Sequence, residues 1–233
     1  MAIRDYRPSP LQSAVVIDAG DQWTLVFTRD FPQSPDVVWG ALTDPTQVVQ
    51  WAPYRPERHL GTVGPATLIV VDGDDATEFD GTVVAAGIPH VLEHRWDEDW
   101  LRWEITPRPG GGCTLTLQHT VTGPDTSAQL AAGWHMCLDV AQEMMEHRSA
   151  GPIVGRDALE HGWTELYEAY SKRLGGDGGL TRARRHASGH SPPFRALIRA
   201  FFPSECTVRS VEGDERYIRS NRVPESTTGV SNG

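Results

Sequence analysis

Residues 133–147 read GWHMCLDVAQEMMEH, and within one short segment they collect two histidines, a cysteine, an aspartate and two glutamates. Such side chains can ligate a metal, move protons or supply a thiolate. Helical phase, at about 100° per residue, sorts them. Leu130, Gly133, Trp134, Cys137, Leu138, Ala141, Met144 and Met145 fall on one apolar stripe, whereas His135, Asp139, Gln142, Glu143 and Glu146 gather opposite it, with His147 at the edge. The pattern predicts that the histidines and acids face water. His135 and Asp139 lack a third strong ligand at good geometry, so no metal is expected. Cys137, near the centre of the stripe, is predicted to be a buried, inert thiol.

A second group of chemically capable residues lies in alternating segments. HVLEHRWD places Leu92, His94 and Trp96 on one face, WLRWEITP places Leu101, Trp103 and Ile105, and CTLTLQHTVT places Leu115, Leu117, His119 and Val121. Pairing Ile105 with Leu115 sets Leu101 opposite His119, and the preceding hairpin sets His94 near Leu101 or Trp103. Two imidazoles therefore point inward from strands two apart, at a Cα separation on the order of 10 Å. Each is expected to hydrogen-bond a backbone or tryptophan partner, with acid–base work by His119 or His94 as the alternative. No Ser-His-Asp order, HExxH motif or inward carboxylate cluster is visible in the sequence.

The elements that must position these residues follow from local patterns. SAVVID and WTLVFTRDF read as a hairpin across AGDQ. Ser34 with Pro35, and Asp44 with Pro45, open two short helices in succession. TLIVVD, TEFDGTVVAAGI and the three strands above then form an antiparallel meander separated by DGDD, GIP, DED and RPGGG. The acidic run DGDDATEFD, 72–80, reads as a solvated loop. A long helix over about 126–148 and a shorter one over about 158–174 close the unit. A curved antiparallel sheet with one apolar face needs a cover, and the long C-terminal helix alone has matching length, which predicts an α+β helix-grip architecture. Curvature in such a fold leaves a pocket between sheet and helix.

Charge divides the chain. Residues 1–175 carry 12 basic against 25 acidic side chains, net −13, while residues 176–233 carry 9 against 6, net +3. All eight tryptophans precede residue 175, and GGDGGLTRARRHASGHSPP has linker composition. The reading is a globular domain over 1–175 and a basic, disordered tail over 176–233, in which Phe194, Leu197, Ile198, Phe201 and Phe202 make a short amphipathic stripe at 194–202. The acidity argues against nucleic acid or an anionic membrane as partner. No apolar run reaches the roughly 18 residues of a membrane span, and MAIRDYRPSP lacks the core of a signal peptide, so a cytoplasmic protein is expected. Three cysteines without a CxxC spacing suggest reduced thiols.

Several separated motifs together carry a family likeness: TRDFPQSPDVVWGALTDPTQVVQW, the helix GWHMCLDVAQEMM and the closing GWTELYEAYSKRLG. Over about Trp23 to Gly175 the chain resembles a bacterial SRPBCC (START-like) protein, and within it the homologues of the Aha-type activators of the heat-shock chaperone ATPase. The resemblance implies the helix-grip fold, an internal hydrophobic cavity and, through the chaperone activators, the stress response. That superfamily includes lipid carriers, polyketide cyclases and co-chaperones, and no catalytic signature carries over.

The combined reading is a cofactor-free, metal-free, non-catalytic domain, a monomer or homodimer, that holds a small hydrophobic or aromatic ligand between sheet and long helix. The expected lining is Trp39, Trp51, Phe79, His94, Trp96, Trp103, Leu117, His119, Trp134, Leu138 and Met145, with Tyr54, Arg55 and Arg58 at the pocket mouth. A cyclase, dehydrase or hydrolase using an inward histidine, and a co-chaperone-like module binding a chaperone or other protein, stand as alternatives.

Overall fold

The computed structural model describes residues 6–18, 22–72, 75–121, 126–148, 151–175 and 180–182. The first hairpin is β1 (Ser13–Asp18) and β2 (Trp23–Phe31), followed by α1 (Pro35–Thr43) and α2 (Pro45–Val48). Asp44 caps α2 by accepting from the Thr46 amide at 2.8 Å, and prolines open both helices where a missing N–H costs nothing. Strands β3 (Arg55–Pro56), β4 (Thr67–Asp72), β5 (Asp75–Asp80), β6 (Val83–Gly87), β7 (Val91–Trp96), β8 (Asp99–Pro107) and β9 (Cys113–Val121) come next. The chain continues with α3 (Ser127–Met145), α4 (Gly155–Glu160), α5 (Trp163–Gly175) and β10 (Leu180–Arg182).

Seven strands form the main sheet in the order β10-β1-β2-β9-β8-β7-β6, antiparallel except where β10 joins β1, and three form a small sheet, β3-β4-β5. The inferred registers hold: Leu101 pairs with His119, Ile105 with Leu115, and His94 with Leu101. Alternation explains them, since a slip by one residue would turn Trp103 and Leu117 to the outer face.

Three sequence expectations are corrected. TEFDGTVVAAGI is not one strand but β5 and β6 in different sheets. The break falls at Gly81, whose amide donates to Ala66 O at 2.8 Å and where a Cβ would lie 2.5 Å from Leu68 Cγ. Most of the acidic stretch expected as a loop, residues 75–80, is β5, paired along its length with β4. The helix expected over 158–174 divides into α4 and α5 at Gly162, which has φ +97° and sits so close to Pro8 that a Cβ would approach its Cγ to 2.8 Å. Of the proposed tail, only Leu180–Arg182 is described, and the 194–202 stripe lies outside the described residues.

Helix α3 lies between two covers. The sheet meets the Trp134, Cys137 and Leu138 side. The other side meets α5, which buries Trp163, Leu166, Tyr170 and Leu174, and the segment of residues 6–12, which brings Tyr6 against Asp139. Every residue from Leu130 to Ala141 is buried. The Cys137 thiol is enclosed, and burial followed by the Asp139 charge pushes its pKa well above the ordinary value. Cys137 is therefore expected to resist a small thiol reagent in the native protein over a period that labels the urea-unfolded chain fully. Comparable native and unfolded rates would mean that this face of α3 is open.

Candidate functional site

Strands β7, β8 and β9 each present alternate residues to α3, and the inward set is aromatic at one end. Trp96 from β7, Trp103 from β8 and Trp134 from α3 meet edge to face, with ring centroids 5.5 Å apart for Trp96–Trp134 and 5.2 Å for Trp103–Trp134. Trp51, which follows α2, adds a third edge-to-face contact to Trp103 at 6.2 Å. Tyr54 lies 5.3 Å from Trp96, and the His119 imidazole stacks on Trp96 at 5.7 Å with an interplanar angle of 18°. Offset and T-shaped arrangements suit the ring quadrupoles, so this wall is held by ring–ring attraction as well as by burial.

The two inward histidines neutralise the wall's polar edges. Trp103 Nε1–H donates to His94 Nε2 at 3.3 Å, and Trp134 Nε1–H donates to His119 Nδ1 at 3.0 Å. Trp51 Nε1–H donates to Ala41 O at 2.9 Å. An indole N–H only donates, so each accepting ring nitrogen must carry a lone pair. For His94 this leaves the proton on Nδ1, where it donates to Arg95 O at 2.8 Å. Both nitrogens of His94 are thus occupied, and burial pushes its pKa down to about 4, with a lesser contribution from His119 and an opposing one from the Arg95 carbonyl. At neutral pH His94 is an uncharged strut between strand and indole.

His119 differs. Its proton must sit on Nε2, which faces Asp99 Oδ2 at 3.7 Å. Both atoms are buried and neither has a hydrogen bond among the described residues. Ser127 Oγ, on the first residue of α3, is in the same condition. Asp99 was missed by the sequence reading because it stands in the acidic turn DED. Its signal was phase: Asp99, Leu101, Trp103 and Ile105 are alternate residues of β8 and all four are buried.

Of the expected lining, Trp51, His94, Trp96, Trp103, His119 and Trp134 come together in this wall. Leu117 pairs with Trp103 across β8 and β9, and Leu138 is buried one helical turn beyond Trp134. Met145 is half-buried at the end of α3. Trp39 lies on α1 beside Gly61, and Phe79 lies in the small sheet opposite Leu68; both are buried in the same hydrophobic core. Tyr54 is a buried member of the wall rather than a mouth residue. Arg55 is exposed on β3. Arg58 spends its guanidinium on the carbonyls of Pro65, Gly64, His59 and Thr62 at 2.6 to 3.0 Å, pinning its own loop.

At His135 and Asp139 the polar side of α3 is not solvated as its phase suggested, whereas Gln142, Glu143 and Glu146 are partly exposed and His147 is exposed. Asp139 forms a buried ion pair with Arg29, accepts from Tyr6 Oη–H at 2.8 Å and from the Ser9 amide at 2.9 Å, and lies 3.4 Å from His135 Nε2. Tyr170 Oη, which accepts from the Gln12 amide at 3.1 Å, lies 2.8 Å from His135 Nδ1. Burial alone would raise the Asp139 pKa. The His135 hydrogen bond and the Arg29 charge outweigh it, and the carboxyl is held well below its ordinary range. The physical reason for the correction is that phase tells which residues share a face but not which distant segment covers it.

Among the described residues no group of three His, Cys, Asp or Glu side chains could hold a metal ion, and no helix is long and apolar enough to cross a membrane. Comparison with known proteins agrees with this architecture. A conserved protein of unknown function from Enterococcus faecalis superposes with a TM-score of 0.54 at 16% identity, covering 69% of this chain and 90% of that one. The solution structure of CalU16 from Micromonospora echinospora gives 0.53 at 17% identity, covering 72% and 96%. These likenesses establish the fold. No curated protein matches the chain significantly. Residues 32–146, which run from just before α1 through the aromatic wall to the end of α3, match the family described as Activator of Hsp90 ATPase homolog 1-like protein, and over this span the chain is similar to that family.

Proposed function

We propose that this domain acts in the cytoplasm by binding a small hydrophobic or aromatic molecule against the aromatic wall, between the sheet and α3, without catalysing a reaction. The observation that carries the reading is the state of the wall's polar atoms. The N–H groups of Trp51, Trp103 and Trp134 are each committed to a protein acceptor, so a guest admitted among these buried rings would meet π-faces and C–H edges rather than donors. A flat apolar molecule is the guest that such a surface favours, and it would gain about 25 cal/mol for each Å² withdrawn from water.

The test is a titration of intrinsic tryptophan fluorescence and of melting temperature with a panel of naphthalene-sized aromatics and fatty acids. Saturable quenching by at least one class is expected, and Trp103→Ala should weaken it about tenfold, the loss of two ring contacts at roughly 0.5–1.5 kcal/mol each. Neither quenching nor a thermal shift across the whole panel would dispose of the reading. A second reading, proton transfer by an inward histidine in a cyclase-like reaction, is favoured by one observation: among the described residues His119 Nε2 has no hydrogen bond, and it faces a carboxylate. His94 offers no equivalent atom.

A further inference from the structure

We infer that Asp99 and His119 form the polar end of this binding site and together receive a hydroxyl group of the bound molecule, so that the natural ligand is a phenol or an alcohol-bearing apolar compound. The inference rests on the binding reading above and adds the functional group that the site selects. A buried polar atom without a hydrogen bond is costly, and native proteins leave few such atoms without a reason. Asp99 Oδ2 and His119 Nε2 are two such atoms, facing one another.

Their spacing and chemistry narrow the partner. At 3.7 Å the pair is too far apart for a direct hydrogen bond. One oxygen placed about 2.8 Å from each atom would subtend roughly 80° between them, which a hydroxyl can meet with one lone pair and one hydrogen. The tautomer fixed by Trp134 makes Nε2–H a donor, and the carboxylate accepts. The bridging group must therefore accept from the histidine and donate to the aspartate. A carbonyl satisfies the first demand only, an ammonium the second only, and a ligand carboxylate would meet Asp99 as a like charge. The ring of Trp96, stacked on His119, places an aromatic surface beside the hydroxyl position.

Calorimetric titration of the full chain with 1-naphthol, naphthalene and 1-naphthoate tests the assignment. The wild type should bind 1-naphthol about tenfold more tightly than either of the others, as a charge-assisted hydrogen bond in a buried site provides. Asp99→Leu should abolish that preference, bringing 1-naphthol to the affinity of naphthalene or below it. Asp99→Asn, which keeps shape and an acceptor oxygen but no charge, should leave a reduced preference, and it decides the matter should the leucine variant fail to fold. Equal wild-type affinity for 1-naphthol and naphthalene would mean a bridging water only and overturn the assignment while leaving the binding reading intact. A preference for 1-naphthol that survives undiminished in the aspartate variants would overturn it as well. Failure of all three compounds to bind, together with a silent fluorescence panel, would remove both.

Discussion

Asp139→Ala is expected to destabilise the domain by about 3–5 kcal/mol, because it leaves the Arg29 guanidinium buried without its counter-charge. It also removes the acceptor of the Tyr6 hydroxyl and the Ser9 amide. The loss should appear as a fall in Tm on the order of 10 °C. Removing the cation too, in Arg29→Met/Asp139→Ala, should cost less than the sum of the single changes, by at least about 1 kcal/mol. The pH dependence has a definite sign. A carboxyl whose folded-state pKa lies below its unfolded value of 3.8 stabilises fully above that value and loses its contribution as pH falls through the folded-state pKa. The stability gap between the wild type and Asp139→Asn should thus be the same at pH 7 and pH 5 and close only in strong acid. A gap that halves between pH 7 and 5 would contradict the ion-paired state.

Trp134→Ala should cost a comparable amount, about 3–5 kcal/mol, the usual range for removing a buried aromatic side chain from a core that cannot collapse around it. The indole is wedged between Trp96 and Trp103 and contributes the donor to His119. Trp134→Phe separates these contributions. It keeps most of the ring packing and removes the N–H, so roughly 1 kcal/mol is expected. Urea unfolding with an unchanged slope measures both. Equal losses for the two variants would show that the indole is not packed as described.

These two residues also mark how far the sequence could be read. Trp134 was placed correctly because the sheet-facing stripe of α3 is set by periodicity, and the registers that bring it to His119 are set by alternation and short turns. The aromatic wall was legible for the same reason. Asp139 was misplaced because the segments that bury it, residues 6–12 and α5, carry no local sign that they will fold back over α3. Arg29 and Asp99 were hidden by their charge: each stands in the inward phase of its strand, next to Phe27 and Phe31 in one case and Leu101 in the other. A charge in the buried phase is itself the signal. It predicts a partner on the opposing element, even where the sequence does not say which. Gly81 and Gly162 broke elements whose hydrophobic pattern runs on, because each sits too close to a distant side chain to carry a Cβ.

The bonds between the two ends of the domain set an order in time. Ser9 and Tyr6 reach Asp139, and Gln12 is held by Tyr170 and Arg173, across sequence separations of 130 to 161 residues. During synthesis at about 5–20 residues per second, residues 6–12 must wait roughly 7 to 30 s after they are made before their partners exist. The β1–β2 hairpin and the β7–β9 meander can pair meanwhile, since their contacts are local. Residues 6–12 can be fastened only after α3 and α5 have been made. A segment made well before its partners is thus among the last to be fixed, and until then Arg29 is on its strand without the carboxylate it will be buried against.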